Sequence, residues 1–302
     1  MKNLIHHIIP WKTSMVFLLL LCFSAVNLSA QEDAGTVTTS AKKPVRNTFE
    51  SVWIMDNQTV MVPVKGTLEM DIQHRFGTVN NGFDDLWGIY APSNIRLGFN
   101  YAPISKLYVG FGLTKEHMQW DFNVKYAILQ QMKGGGLPFS LTYFGNMAVD
   151  GRDSKFFGRN TDRLSYFHQL IIASKLMDKL SVQVSPSLSY FNSVEGYMDE
   201  NDVVQKKMDN AHFALSFMGR YKISEKMAII AGVDQPLTVH PTNNPYPNVC
   251  FGLDITTSGH AFQVFAGNYS SITPQRNHVF NQNDYQNGYF LIGFNISRLW
   301  NL

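Results

Sequence analysis

Charge is scarce in this chain. Only 16% of its 302 residues are Asp, Glu, Lys or Arg, and the two signs nearly cancel at a formal +2. No clustered basic face emerges, so nucleic acid is excluded as a partner. Cysteine is scarcer still, with Cys22 and Cys250 the whole complement. No Cys-x-x-Cys-His occurs, which excludes covalently attached haem. His74, His117, His168, His212, His240, His260 and His278 include no pair at the close spacing of a metal site on one element, so a metal would require them to converge from different strands; no metal and no cofactor is expected. Long apolar runs are missing beyond the start of the chain, and no transmembrane helix is expected there.

The one apolar run opens the sequence. Lys2 and Lys12 precede residues 15–21, which are all apolar, and Leu28-Ser29-Ala30 stands before Gln31. This is the pattern of a secretory signal peptide, residues 1–30, cleaved after Ala30. Cys22 invites lipid attachment, but Leu21 sits where a small residue is needed and apolar sequence continues past it. Cleavage would remove Lys2 and Lys12, leaving a neutral chain with Cys250 as its single thiol. An exported chain that is 45% apolar and 13% aromatic, with no membrane helix, is either a secreted sandwich or an outer-membrane barrel.

Alternation decides for the barrel. Residues 31–47, rich in Thr, Ser, Ala and Lys, read as a flexible leader. Residues 48–64 carry Phe49, Val52, Trp53, Ile54, Val60, Val62 and Val64 and read as an ordered lead-in or partial plug. From Lys65 to Leu302 the chain is a series of segments of about 9–13 residues with one oily and one polar parity. Leu68, Met70 and Ile72 oppose Glu69, Asp71, Gln73 and Arg75; Trp120, Phe122, Val124 and Tyr126 oppose Asp121, Asn123 and Lys125. About twelve such segments can be drawn, an even number, as single-chain bacterial barrels require. The last, Gly288 to Trp300, puts Phe290, Ile292, Phe294, Ile296 and Trp300 on one parity, and it should close the sheet against Thr67 to Phe76. Short turns alternate in one phase with connections that are mostly longer, the tight Lys115-Glu116-His117 being the exception, which places the turns in the periplasm and the loops outside. The expected fold is therefore all-β, a closed antiparallel transmembrane β-barrel.

If the polar parity faces inward, the lumen holds Glu69, Asp71, Arg75, Arg96, Asp121, Lys125, Arg163, Lys175, Arg220, Lys222, Asp234 and Asp254. Mixed signs in a narrow barrel favour pairing across the interior over an ion-selective lining. Trp53, Trp87, Trp120, Trp300 and several tyrosines near segment ends read as interfacial girdles. Catalysis finds no constellation: Ser165 and His168, three residues apart on a strand, point to opposite faces. Gly134-Gly135-Gly136 after Lys133 lacks phosphate-loop spacing and reads as a turn.

Several motifs together carry a family resemblance. Thr48-Phe49-Glu50-Ser51, Lys65-Gly66-Thr67-Leu68-Glu69, His74-Arg75-Phe76-Gly77, Ser93-Asn94-Ile95-Arg96-Leu97-Gly98, Ser165-Tyr166-Phe167-His168-Gln169, Ser258-Gly259-His260-Ala261-Phe262-Gln263 and Gly293-Phe294-Asn295-Ile296-Ser297-Arg298 span nearly all of residues 48–300. In these the chain resembles the uncharacterised outer-membrane β-barrel family of the Bacteroidota, a domain-of-unknown-function family. The resemblance implies the fold and the compartment, and no site residues. Ser258 stands where relatives more often have a second glycine. The expected function is an integral outer-membrane β-barrel, not an enzyme, with outer-membrane lipid around it and a small solute or lipid passed or bound within. The alternatives are a non-transporting structural or partner-docking barrel and, third, an outer-membrane lipid hydrolase. No protein partner can be named from the sequence.

Overall fold

A computed structural model describes residues 43–134 and 136–302. The expected signal peptide, most of the leader and the centre of the glycine turn lie outside the described residues.

Twelve antiparallel strands form one closed barrel. They are β1 (Thr67–Thr78), β2 (Asn94–Ile104), β3 (Leu107–Thr114), β4 (Gln119–Leu129), β5 (Ser140–Val149), β6 (Leu164–Lys175), β7 (Leu180–Phe191), β8 (Ala211–Lys222), β9 (Met227–Pro236), β10 (Asn248–Thr256), β11 (His260–Gly267) and β12 (Leu291–Asn301). Each pairs with its sequence neighbours, so the connections are hairpins throughout. The last strand closes on the first, with Trp300 opposite Leu68, Ile296 opposite Ile72 and Asn301 opposite Thr67. Closure leaves no unpaired edge in the wall.

Register follows from the period-two pattern. Along β1, Glu69, Asp71, Gln73 and Arg75 are buried while Leu68, Met70, Ile72, His74 and Phe76 are only partly so. The polar parity faces the lumen. The outward face leaves Phe122, Leu170, Phe213, Ile229, Phe251, Val264 and Ile292 exposed around the circumference. So much exposed apolar surface is incompatible with water on that face and is what lipid requires.

Aromatic side chains mark both ends of the wall. Tyr101, Tyr126, Tyr221 and Trp300 sit at the end where β12 finishes, and Trp120, Tyr190 and Tyr289 at the opposite end. Arg298 lies over the Trp300 ring, 5.0 Å from its centroid. His74 is on the outer face, stacked on Phe294, and His168 bonds the Tyr143 hydroxyl at 2.7 Å. Both histidines are on the outward parity. Trp53 is different from the girdle residue expected of it: it is buried inside the barrel.

Candidate functional site in the barrel lumen

The lumen is filled by the chain that precedes β1. Residues 45–64 run in from the end where β12 finishes, turn, and run back to Gly66. At the turn, Trp53 and Ile54 pair antiparallel with Gln58 and Asn57, leaving Met55 and Asp56 at the tip. Met55 adopts φ 54°, a left-handed conformation unfavourable for a side chain with a Cβ. The wall holds it there: Met55 N donates to Gln263 Oε1 at 2.9 Å, and Asn295 Nδ2 donates to Met55 O at 2.6 Å.

Polar contacts from around the wall satisfy the rest of this hairpin. Lys125 Nζ donates to Thr59 O at 3.2 Å from β4, Gln183 Nε2 to Gln58 O at 2.8 Å from β7, and Gln263 Nε2 to Trp53 O at 2.8 Å from β11. Asn57 accepts from Gln169 at 2.9 Å and donates to Asp234 at 2.9 Å. Apolar packing completes the fit. Phe49, Ile54 and Met55 form a core with the inward-facing Ala173, Met218, Ile230, Cys250, Phe265 and with Tyr269. Val60 packs on Phe144, Phe167 and Ile171. Inward phenylalanines and isoleucines would be anomalous in a water-filled bore; here they receive the hairpin.

Arg96 and Arg220 each join two carboxylates. Arg96 bridges Asp71 at 2.9 Å and holds Asp121 through two parallel bonds, Nε to Oδ2 and Nη2 to Oδ1, each 2.9 Å. Its guanidinium also lies 5.5 Å from the centroid of the Trp53 ring. Gly98 and Gly112, on the same parity, make room for it, since a Cβ at either would overlap Arg96. Glu69 accepts from the Tyr108 hydroxyl. Arg220 joins Asp254 of the wall to Glu50 of the entering chain, each at 2.8 Å, and Lys222 reaches Glu50 at 3.4 Å. Burial works against charge on Glu50, but the Thr256 hydroxyl, Arg220 and Lys222 outweigh it and hold the carboxyl below its ordinary range.

Arg75 is buried over the Phe265 ring and bonds Asn295 at 2.9 Å. Two residues sit apart from this interior. Arg163 is at the loop end, donating to the carbonyls of Asp150 and Arg152, and Lys175 is at the other rim, where its backbone N meets Gln131.

The connection after β11 enters the lumen from the opposite end, which its reading as an external loop did not anticipate. Its one helix, α1 (Pro274–Val279), buries Gln275, Asn277 and His278. Gln275 bonds Asn146 and Ser165, and Asn277 Nδ2 donates to Asp56 at the hairpin tip. Arg276 anchors the loop to Glu116 at 3.0 Å. Ser165 and His168 are not brought together, but Ser187 Oγ is 3.3 Å from His278 Nδ1, and His278 Nε2 is 3.8 Å from Asp234 Oδ2. All three are buried. The residue types are those of a hydrolytic triad, yet a substrate would need access to Ser187 that the packed interior does not give.

Space remains at one end. A cavity of about 1050 Å³ opens at the end where β12 finishes, lined by Phe49, Glu50, Lys106, Gln130, Lys222 and Lys226 among others.

The family described as "Membrane bound beta barrel domain (DUF5777)" matches residues 49–300. No curated protein matches the chain in sequence. Among solved structures, the fold is similar to the NanC porin, at 10% identity and a TM-score of 0.46, over 78% of this chain and 99% of that one. The KdgM porin gives 10%, 0.44, 78% and 99%, and an outer membrane channel from Pseudomonas putida F1 gives 12%, 0.45, 80% and 97%.

Proposed function

The chain belongs to this family of membrane-bound β-barrel domains, and from that premise we propose that it is an integral outer-membrane barrel kept shut by its own hairpin, binding a small solute or lipid in the cavity at its periplasmic end. The export signal and the phase of short turns and long loops support the outer membrane as the compartment. The motif resemblance supports a bacterium of the Bacteroidota as its setting. The short turns would face the periplasm, and with them the cavity.

One observation carries the closed reading. The hairpin and the inner wall share an apolar core, in which Ile54 and Met55 are buried against Met218, Ile230 and Phe265. Withdrawing the hairpin would expose those side chains to water at about 25 cal/mol per Å² of apolar surface. The resting barrel therefore conducts nothing, and passage would require that core to come apart. Binding at the cavity does not. Its rim carries Glu50 and Glu225 beside Lys106, Lys222 and Lys226, a mixed lining suited to a polar head with an apolar body.

Purified protein in planar bilayers tests the reading: wild type should be electrically silent. Steady conductance from wild type would overturn it. Lipids and small solutes retained through purification, identified by mass spectrometry, would show what the cavity takes. Substituting Lys222 with Glu should reduce that retention.

A further inference from the structure

Three buried side chains meet where the hairpin, the wall and the loop helix touch. Asp56 comes from the hairpin tip, Asp234 from β9 and His278 from α1, and one ligand atom from each lies within 4.8 Å of the others. Two carboxylates this close and this deep cannot both stay charged without a counter-charge between them. His278 Nδ1 is engaged by Ser187 at 3.3 Å, which turns Nε2 toward Asp234 Oδ2 at 3.8 Å. That distance is too long for a hydrogen bond. It is near the separation of about 3.4 Å between two donors on one four-coordinate zinc.

A fourth side chain borders the same place. Asn277 is 1% exposed; its amide nitrogen contacts Asp56 Oδ2, while its Oδ1 is buried with no hydrogen-bond partner among the described residues. Rotating that amide half a turn exchanges the two atoms. Oδ1 would then face the Asp56 carboxylate, an arrangement that requires a cation between them. The remaining donors around the cluster are consistent with metal support: Asn57 bonds Asp234 Oδ1 at 2.9 Å and Asp56 Oδ1 at 3.3 Å, and Asn248 bonds Asp234 Oδ2 at 3.3 Å.

We propose that Asp56, Asp234 and His278, with Asn277 Oδ1, form a binding site for one divalent metal ion of the zinc class. Two carboxylates, an imidazole and an amide oxygen form a borderline-hard donor set that suits zinc and its first-row neighbours. The ion neutralises both carboxylates. It also ties together three elements that are remote in sequence, fastening the hairpin to the wall and the loop helix over both.

That consequence rests on the closed-lumen reading; the site does not, and metal content is measured without any conductance. The full-length protein is refolded in detergent with zinc, freed of excess, and its metal counted by mass spectrometry, with heat-shifted gel mobility confirming the barrel. Wild type should retain one zinc per chain. His278→Gln and Asp234→Asn should each weaken retention by about tenfold or more, Ser187→Ala by about tenfold through the imidazole it orients, and His168→Gln on the outer face not at all. Asn277→Asp, which adds a charged ligand, should tighten it and serves where the other variants fail to fold. A wild-type barrel without zinc, zinc held equally by His278→Gln, or unchanged affinity in Asn277→Asp would each overturn the proposal.

Discussion

Asp56 and Asn277, 221 residues apart in the chain, touch at the centre of the barrel, the Asn277 amide donating to the Asp56 carboxylate. One comes up from the end where β12 finishes and the other comes down from the loops, so this contact closes the interior from both sides. The wall around this contact makes several outcomes predictable.

Arg96 is the first. Its guanidinium is the shared partner of Asp71 and Asp121 in a fully buried set. Replacing it with Met strands two carboxylates and should cost about 3–5 kcal/mol. Urea titration of the purified barrel, followed by heat-shifted gel mobility, would measure the loss. Adding Asp71→Asn and Asp121→Asn should return most of it, because the penalty lies in the uncompensated charge.

Gly112 depends on the same guanidinium. A Cβ there would overlap Arg96, so Gly112→Ala should destabilise by about 1–3 kcal/mol. In an Arg96→Met background the added penalty should shrink, since a flexible thioether can yield. Equal penalties in both backgrounds would assign the cost to the strand backbone instead.

Removing the closing strand should be fatal to insertion. Truncation after Asn287 deletes all of β12 and leaves the β1 and β11 edges bare. The expected product aggregates or is degraded, and a truncated barrel that still shifts mobility on heating would contradict closure at this seam.

The loop end should respond to acid. Burial raises the Asp150 carboxyl, but hydrogen bonds from His117 at 2.9 Å and Arg152 at 2.8 Å outweigh it and hold the group well below the usual range. A carboxyl with a depressed folded pKa contributes stability in full above its unfolded value of about 3.9 and loses it as pH falls further. Protection of residues 150–163 against a pH-tolerant protease should therefore be flat from neutrality to about pH 5 and weaken below about pH 4. Asp150→Asn should lower the plateau by about 1 kcal/mol, a figure reduced for partial exposure, and remove the acid step.

The wall was legible because its signal is local. Alternation such as Glu69-Met70-Asp71-Ile72-Gln73 specifies a strand and its inner face together, and it puts Asp71, Arg96 and Asp121 on the inner parity without showing which of them meet. The filling was not legible. Ile54-Met55-Asp56-Asn57 contains no glycine, so the strongest signal for a two-residue turn is missing, and Gln263 and Asn295, more than two hundred residues away, hold Met55 at positive φ. Likewise α1 is too short for a helical period, and Ser187, Asp234 and His278 are strangers in sequence that the closed sheet makes neighbours. Trp53 looked like an interfacial residue because its place depends on a chain entering the barrel.

That entering chain also sets a dimension. A sheet of twelve strands can close with different staggers, and each stagger gives a different bore. The hairpin at Trp53–Gln58 has one width, and Lys125 and Gln263 grip it from well-separated parts of the ring. The barrel thus carries its own mandrel, and a wall that closed one register wider would have nothing to hold.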